Sequence, residues 1–98
     1  MTNKVYLIGE VVAVPIYTDE PRKKKLILNL SVPKTFKNEN GEYEKDLISV
    51  EIYDYLEKKF SEICNKHDIV VIEGRIDVTE EGLKVVATFV RVLGSKKV

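Results

Sequence analysis

Through most of this chain hydrophobic and polar positions alternate with a period of two. In residues 25–32, Leu26, Leu28, Leu30 and Val32 share one parity, while Ile27, Asn29 and Ser31 share the other. Successive side chains of a strand point to opposite faces, so this pattern predicts a strand with one buried side. Residues 47–53 repeat it, with Ile48, Val50 and Ile52 set against Leu47, Ser49, Glu51 and Tyr53. Residues 69–78 place Val70, Ile72, Ile76 and Val78 on one parity, and residues 83–93 are nearly apolar throughout. Residues 4–17 are β-branched and aromatic and contain Gly9, and a glycine inside a long strand marks a bend or bulge.

One segment breaks the alternation. In residues 55–66, Leu56, Phe60, Ile63 and Cys64 recur at spacings of four, three and one, the stripe of an amphipathic helix. Lys58, Lys59, Glu62 and Lys66 fall outside the stripe. The connections are polar: residues 18–24 hold Pro21 and read as a turn, residues 37–46 centre a hairpin on Asn40-Gly41, and residues 79–82 make a short acidic hairpin. The order β-β-β-α-β-β predicts an all-β fold, a five-stranded OB-fold Greek-key barrel with one α-helix between strands 3 and 4. An open meander with one helix has the same order. The length, 98 residues, predicts a single domain over 1–98.

Composition narrows the function classes. The chain carries 16 basic and 16 acidic residues and no net charge, so it lacks the overall basic excess of many nucleic-acid binders. A local basic stripe is compatible with that sum. One cysteine forbids an internal disulfide and suits a reducing compartment. The opening residues become charged too early for a secretory signal, and no apolar run approaches the ~20 residues of a membrane span. The expectation is a mature cytoplasmic protein with no membrane partner. Cys64 and His67 give C-x-x-H without a second pair to complete a zinc site, nor is there a third group to orient a nucleophile. Cys64 reads as a core-face thiol and His67 as a helix-terminal residue. Glu80 and Glu81, at a hairpin tip, lack the burial that tunes a catalytic acid. No glycine loop for phosphates is present. The sequence predicts no enzyme, metal or cofactor.

Four stretches, in order, resemble the bacterial single-stranded-DNA-binding protein family. "NKVYLIGEVVAVP" is similar to its first strand and "NENGEYEKD" to the hairpin after its second. "VVIEGRI" is similar to its fourth strand and "VVATFVRVLGS" to its fifth. The resemblance implies an OB-fold protein that binds single-stranded DNA in replication, recombination or repair. It also implies assembly as a homodimer or homotetramer, with replication proteins as further partners. Two family aromatics fall on Leu47 and near Glu81, in a hairpin that is shorter and acidic here, and the family's acidic C-terminal tail has no counterpart before the sequence closes at "LGSKKV". The alternative is an OB-fold interaction module, similar to a primosomal accessory protein, whose main partner is protein.

Binding without sequence preference requires rings that stack on bases and cations that track phosphates. The family's stacking aromatics fall on Phe36 and Tyr53. A basic position of the family falls on Tyr55, which exchanges a charge for a ring, and another falls on Lys66. On the residues alone, Phe36 and Tyr53 read first as sheet covers or contacts between subunits; the resemblance implies stacking. Arg22, Lys23, Lys24 and Lys25 form the densest basic run, and Lys34 and Lys37 extend it around Phe36. Such a run is either a solvated loop or a rim of phosphate contacts. Arg75 is expected to meet phosphate or to pair with Glu73. Tyr43 is expected either to fold back toward the strand of Leu47 or to contact a base.

Overall fold

The computed structural model describes residues 1–20, 23–53 and 65–95. Six strands follow one another: β1 (Val5–Val11), β2 (Ile16–Glu20), β3 (Lys23–Lys37), β4 (Tyr43–Tyr53), β5 (Asp68–Thr79) and β6 (Gly82–Ser95). β1 pairs antiparallel with β5 from Val5 to Glu10, then with β3 through Glu10↔Ser31 and Val11↔Leu30. β3–β4 and β5–β6 are long antiparallel ribbons. β4 meets β6 in parallel through Val50↔Val85 and Glu51↔Val86. These pairings close a five-strand ring, β1-β3-β4-β6-β5, consistent with the OB-fold. β2 lies outside the ring, and among the described residues it pairs with β3 alone.

The expected five strands and one helix are corrected in two places. The single strand expected over residues 4–17 is two. Its ladder ends at Val11, Val12 donates one further backbone bond to Asn29 O at 3.0 Å, and the chain resumes as β2 at Ile16. Pro15 stands in the break, where its missing N–H costs no ladder bond. No helix occurs among the described residues. The helix expected over 55–66 falls mainly on 54–64, outside the described residues, as do Cys64 and Pro21. Its last two positions, Asn65 and Lys66, lie in a turn. There the Asn65 N–H donates to Asp68 Oδ2 at 2.8 Å, a local bond that competes with helical pairing. His67 follows in the same turn with φ of +77° and its ring 3.1 Å from Glu10 Oε2.

The core is the face that the alternation selects. Leu26, Leu28 and Leu30 on β3 interdigitate with Val50 and Ile52 on β4, Val70 and Ile72 on β5, and Val11 on β1. All are fully buried, each contributing about 1.5–3 kcal/mol by removal of apolar surface from water. The expected inward parity of β5 fails beyond Gly74. The β5–β6 hairpin runs past the barrel, and Val78 stands exposed opposite an exposed Leu83. The other hairpin turns where Asn40-Gly41 predicts. Asn38 Oδ1 accepts from the N–H groups of Asn40 and Glu42, and Gly41 takes φ of +77°.

Among the glycines, Gly74 stands against the closest backbone. A Cβ there would overlap the backbone carbonyl of Val86, whereas Gly94 faces open space. Gly74→Ala is therefore expected to cost about 1–3 kcal/mol or more in urea denaturation, and Gly94→Ala to stay within about 0.5 kcal/mol. Equal midpoints for the two variants would contradict this packing.

Candidate nucleic-acid interface

Burial of one parity of β3 and β4 dictates what the other parity displays. On the outer face the register sets Lys25 opposite Tyr53, Ile27 opposite Glu51, Asn29 opposite Ser49 and Ser31 opposite Leu47. The same parity of β4 carries Tyr43 and Lys45 toward the hairpin tip. The Ser49 hydroxyl donates to Asn29 Oδ1 at 2.7 Å. Leu47 is 76% exposed. The β5–β6 hairpin flanks this face, and Leu83 and Lys84 line a groove of about 210 Å³ with Ile27, Ser49 and Glu51.

The centre of the face is a carboxylate. Glu51 is only 7% exposed. Lys25 Nζ donates to its Oε1 at 2.9 Å, the Tyr53 hydroxyl donates to its Oε2 at 3.1 Å, and Lys84 Nζ lies 3.9 Å from Oε1. Burial pushes the Glu51 carboxyl up. The hydrogen bonds from Lys25 and Tyr53, with the charges of Lys25 and Lys84, outweigh it and hold the carboxyl below its ordinary value. Burial and the same carboxylate push the Tyr53 phenol above its usual range. Lys84 also reaches Glu81 at 3.2 Å.

The expected site residues are distributed along this ribbon and not gathered into a pocket. Tyr53 is half-buried at one end, tied to Glu51. Phe36 is 69% exposed near the other end, where Lys37 pairs with Tyr43. That separation is about ten residues of strand, roughly 30 Å. Tyr43 is exposed, and Lys37 Nζ lies 5.6 Å from its ring centroid. Lys34 donates to Asp46 at 2.8 Å, and that bond and charge raise its pKa. Lys25 is bound to Glu51. Lys23 and Lys24 enter as backbone partners of Glu20 and Asp19. Lys66 is exposed in the turn before β5. Arg75 lies 3.8 Å from Asp77, while Glu73 is approached by Lys4 instead. Arg22 and Tyr55 lie outside the described residues. Glu51 and Lys84 escape a reading by alternation: period two places Glu51 outward, but only the hairpin that covers it makes it buried. Among the described residues no cluster of three or more His, Cys, Asp or Glu could hold a metal, and no helix is long and apolar enough to cross a membrane.

Comparison with known proteins gives a consistent set of likenesses. Residues 2–91 match the model of the "Single-strand binding protein family". "Single-stranded DNA-binding protein 1" of Streptococcus pyogenes serotype M6 is 35% identical over 77 residues, covering 78% of this chain and 59% of that protein. "Single-stranded DNA-binding protein 1" of Lactococcus lactis is 30% identical over 93 residues, covering 90% of this chain and 62% of that one. The chain thus spans about three-fifths of the length of these relatives. Among solved structures, the small single-stranded DNA-binding protein from Streptomyces coelicolor superposes with a TM-score of 0.73 at 18% identity, covering 94% of this chain and 95% of that one.

Because the folded-state pKa of Glu51 lies below its ordinary value of 4.5, the stability from this cluster is complete above that value. It is lost as the carboxylate protonates at lower pH. Glu51→Gln is expected to destabilise the protein by about 1–2 kcal/mol at neutral pH. Thermal melts should show the parent losing more of its melting temperature than Glu51→Gln between about pH 5 and about pH 2. Parallel pH profiles for the two proteins would contradict the cluster's role.

Proposed function

The chain belongs to the single-strand binding protein family, and from that premise we propose that it binds single-stranded DNA largely without sequence preference. The observation that carries the proposal is the outer face of β3 and β4, where Tyr53 stands opposite Lys25 at one end and Tyr43 lies under Lys37 at the hairpin end, with Phe36 exposed beside Lys37 on the neighbouring parity. Phe36 and Tyr53 stack on bases, each ring contributing ~1–3 kcal/mol. Lys25, Lys34, Lys37 and Arg75 meet phosphates together with Arg22, Lys23 and Lys24 of the basic run, and the family's basic positions add Lys66 and Tyr55, the latter with a ring in place of the charge. Tyr43, exposed under Lys37, adds a further ring. The role is in DNA replication, recombination or repair in the cytoplasm, as one domain without catalysis or cofactor.

Lys25, Lys34, Lys84 and Arg75 already hold carboxylates. Phosphate must displace or share these partners, so fewer counterions are released on binding than the lysine count implies. A shallow salt dependence and stacking-dominated affinity follow.

We also infer a homodimer or homotetramer. The outer face of β1, β5 and β6 exposes Tyr6, Ile8, Phe89 and Leu93, and the register aligns Tyr6 and Phe89 on either side of Glu73. Among the described residues the second edge of β1 has no strand partner from Val5 to Gly9. An apolar face beside an open strand edge favours pairing with another copy.

Anisotropy titration of labelled oligo-dT at low and moderate salt tests the binding. Phe36→Ala and Tyr53→Ala should each weaken it by ~1–3 kcal/mol. Absence of binding at low salt, or indifference to both rings, would transfer the assignment to a protein-interaction module. Analytical ultracentrifugation should show a dimer or tetramer that Tyr6→Asp with Phe89→Asp dissociates. A parent that sediments as a monomer would overturn the assembly.

A further inference from the structure

We infer that the groove between the outer face of β3–β4 and the β5–β6 hairpin is a subsite for one nucleobase bearing an exocyclic amino group, with the Glu51 carboxylate as its acceptor. The inference rests on the single-strand-binding reading and adds to it a base preference at one position.

The groove is of the right kind. Its volume of about 210 Å³ is below the roughly 300–1,000 Å³ of sites for drug-sized ligands, which suits a single ring system. Ile27 and Leu83 supply apolar walls for the flat faces of a base, while Ser49, Glu51 and Lys84 supply the polar groups. The hydroxyl of Ser49 is committed to Asn29, which leaves Glu51 as the charged acceptor of the groove.

A buried carboxylate on a DNA-binding face needs a reason. It repels phosphate, and its desolvation opposes ionisation. Ionised, it has about four acceptor positions. Lys25 fills one on Oε1 and Tyr53 fills one on Oε2, with Lys84 farther away at 3.9 Å. The carboxylate therefore keeps unfilled acceptor positions, and Glu51 is one of the residues that line the groove. Lys25 and Lys84 flank the carboxylate and screen it from a phosphate backbone, so a base edge can enter while the phosphates stay near the ammonium groups.

The acceptor sets the preference. An amino group such as cytosine N4 donates freely to a carboxylate. In uracil and thymine the single ring N–H lies between two carbonyl oxygens, and both would face the negative charge. A site built to accept a hydrogen bond discriminates against the analogue that cannot donate it well.

The test uses the intact chain with oligo-dC, oligo-dU and an oligomer of N4,N4-dimethyl-deoxycytidine, which has no amino hydrogens. The parent should bind oligo-dC at least fivefold more tightly than the other two. Glu51→Gln should reduce the dC-to-dU ratio to within twofold, with circular dichroism confirming the fold. The dimethylated oligomer examines the same contact in the unaltered protein, so the test stands even where Glu51→Gln unfolds. Equal binding of the three oligomers by the parent, or a preference that survives in folded Glu51→Gln, would overturn this subsite and leave single-strand binding intact. Failure to bind any of them at low salt would overturn both.

Discussion

The structure depends on closure of the barrel through two short seams. One is the transfer of β1 from β5 to β3 at Glu10 and Val11, and the other is the parallel contact of β4 with β6 at Val50 and Glu51. Each seam has only two residue pairs, so the ladder bonds there are few. What holds the ring shut is the apolar interior, to which β1, β3, β4, β5 and β6 all contribute buried side chains. Within the β5–β6 ribbon, the register irregularity at Glu73/Gly74 brings the backbones so near that only glycine fits at position 74 against Val86. Gly9 performs a similar service on β1, where an added Cβ would lie 2.9 Å from Ser31 O.

The second seam also makes the electrostatics of the outer face. Glu51 pairs through its backbone with Val86, and the same junction brings Lys84 and Leu83 over its side chain. Removed from water, the carboxylate orders two neighbours, Lys25 and Tyr53, that belong to the proposed binding face. Affinity for phosphate and order of the face are therefore opposed. Each lysine held by a carboxylate is well placed but less available, and in the proposed interaction the rings carry a correspondingly larger share.

The two sides of the barrel divide the labour by chemistry. The β3–β4 side is polar and charged with scattered rings, suited to a ligand that brings both phosphates and flat bases. The β1–β5–β6 side exposes Tyr6, at 58%, with Ile8, Phe89 and Leu93, a surface suited to another apolar face. This separation is how a chain with no net charge can carry the proposed nucleic-acid track without a globally basic surface.

Much of this was legible in the sequence. Period two in residues 25–32 and 47–53 identified Leu26, Leu28, Leu30, Val50 and Ile52 as interior, because alternation on a half-buried strand is a local property. Asn40-Gly41 located the hairpin, because turn chemistry is local as well. The same parity placed Tyr53 on the outer face. The end of the β1 ladder at Val11 and the overrun of the β5–β6 hairpin that exposes Val78 were not legible, because each depends on where distant strands meet. The site divides in the same way. Sequence determined which residues could stack or carry charge. Tertiary structure alone decided that Lys34 holds Asp46, that Arg75 lies beside Asp77 and not Glu73, and that Glu51 is buried among Lys25, Tyr53 and Lys84. Pairing of charges across strands is set by register and closure, which bring together residues as far apart in the chain as Lys25 and Lys84.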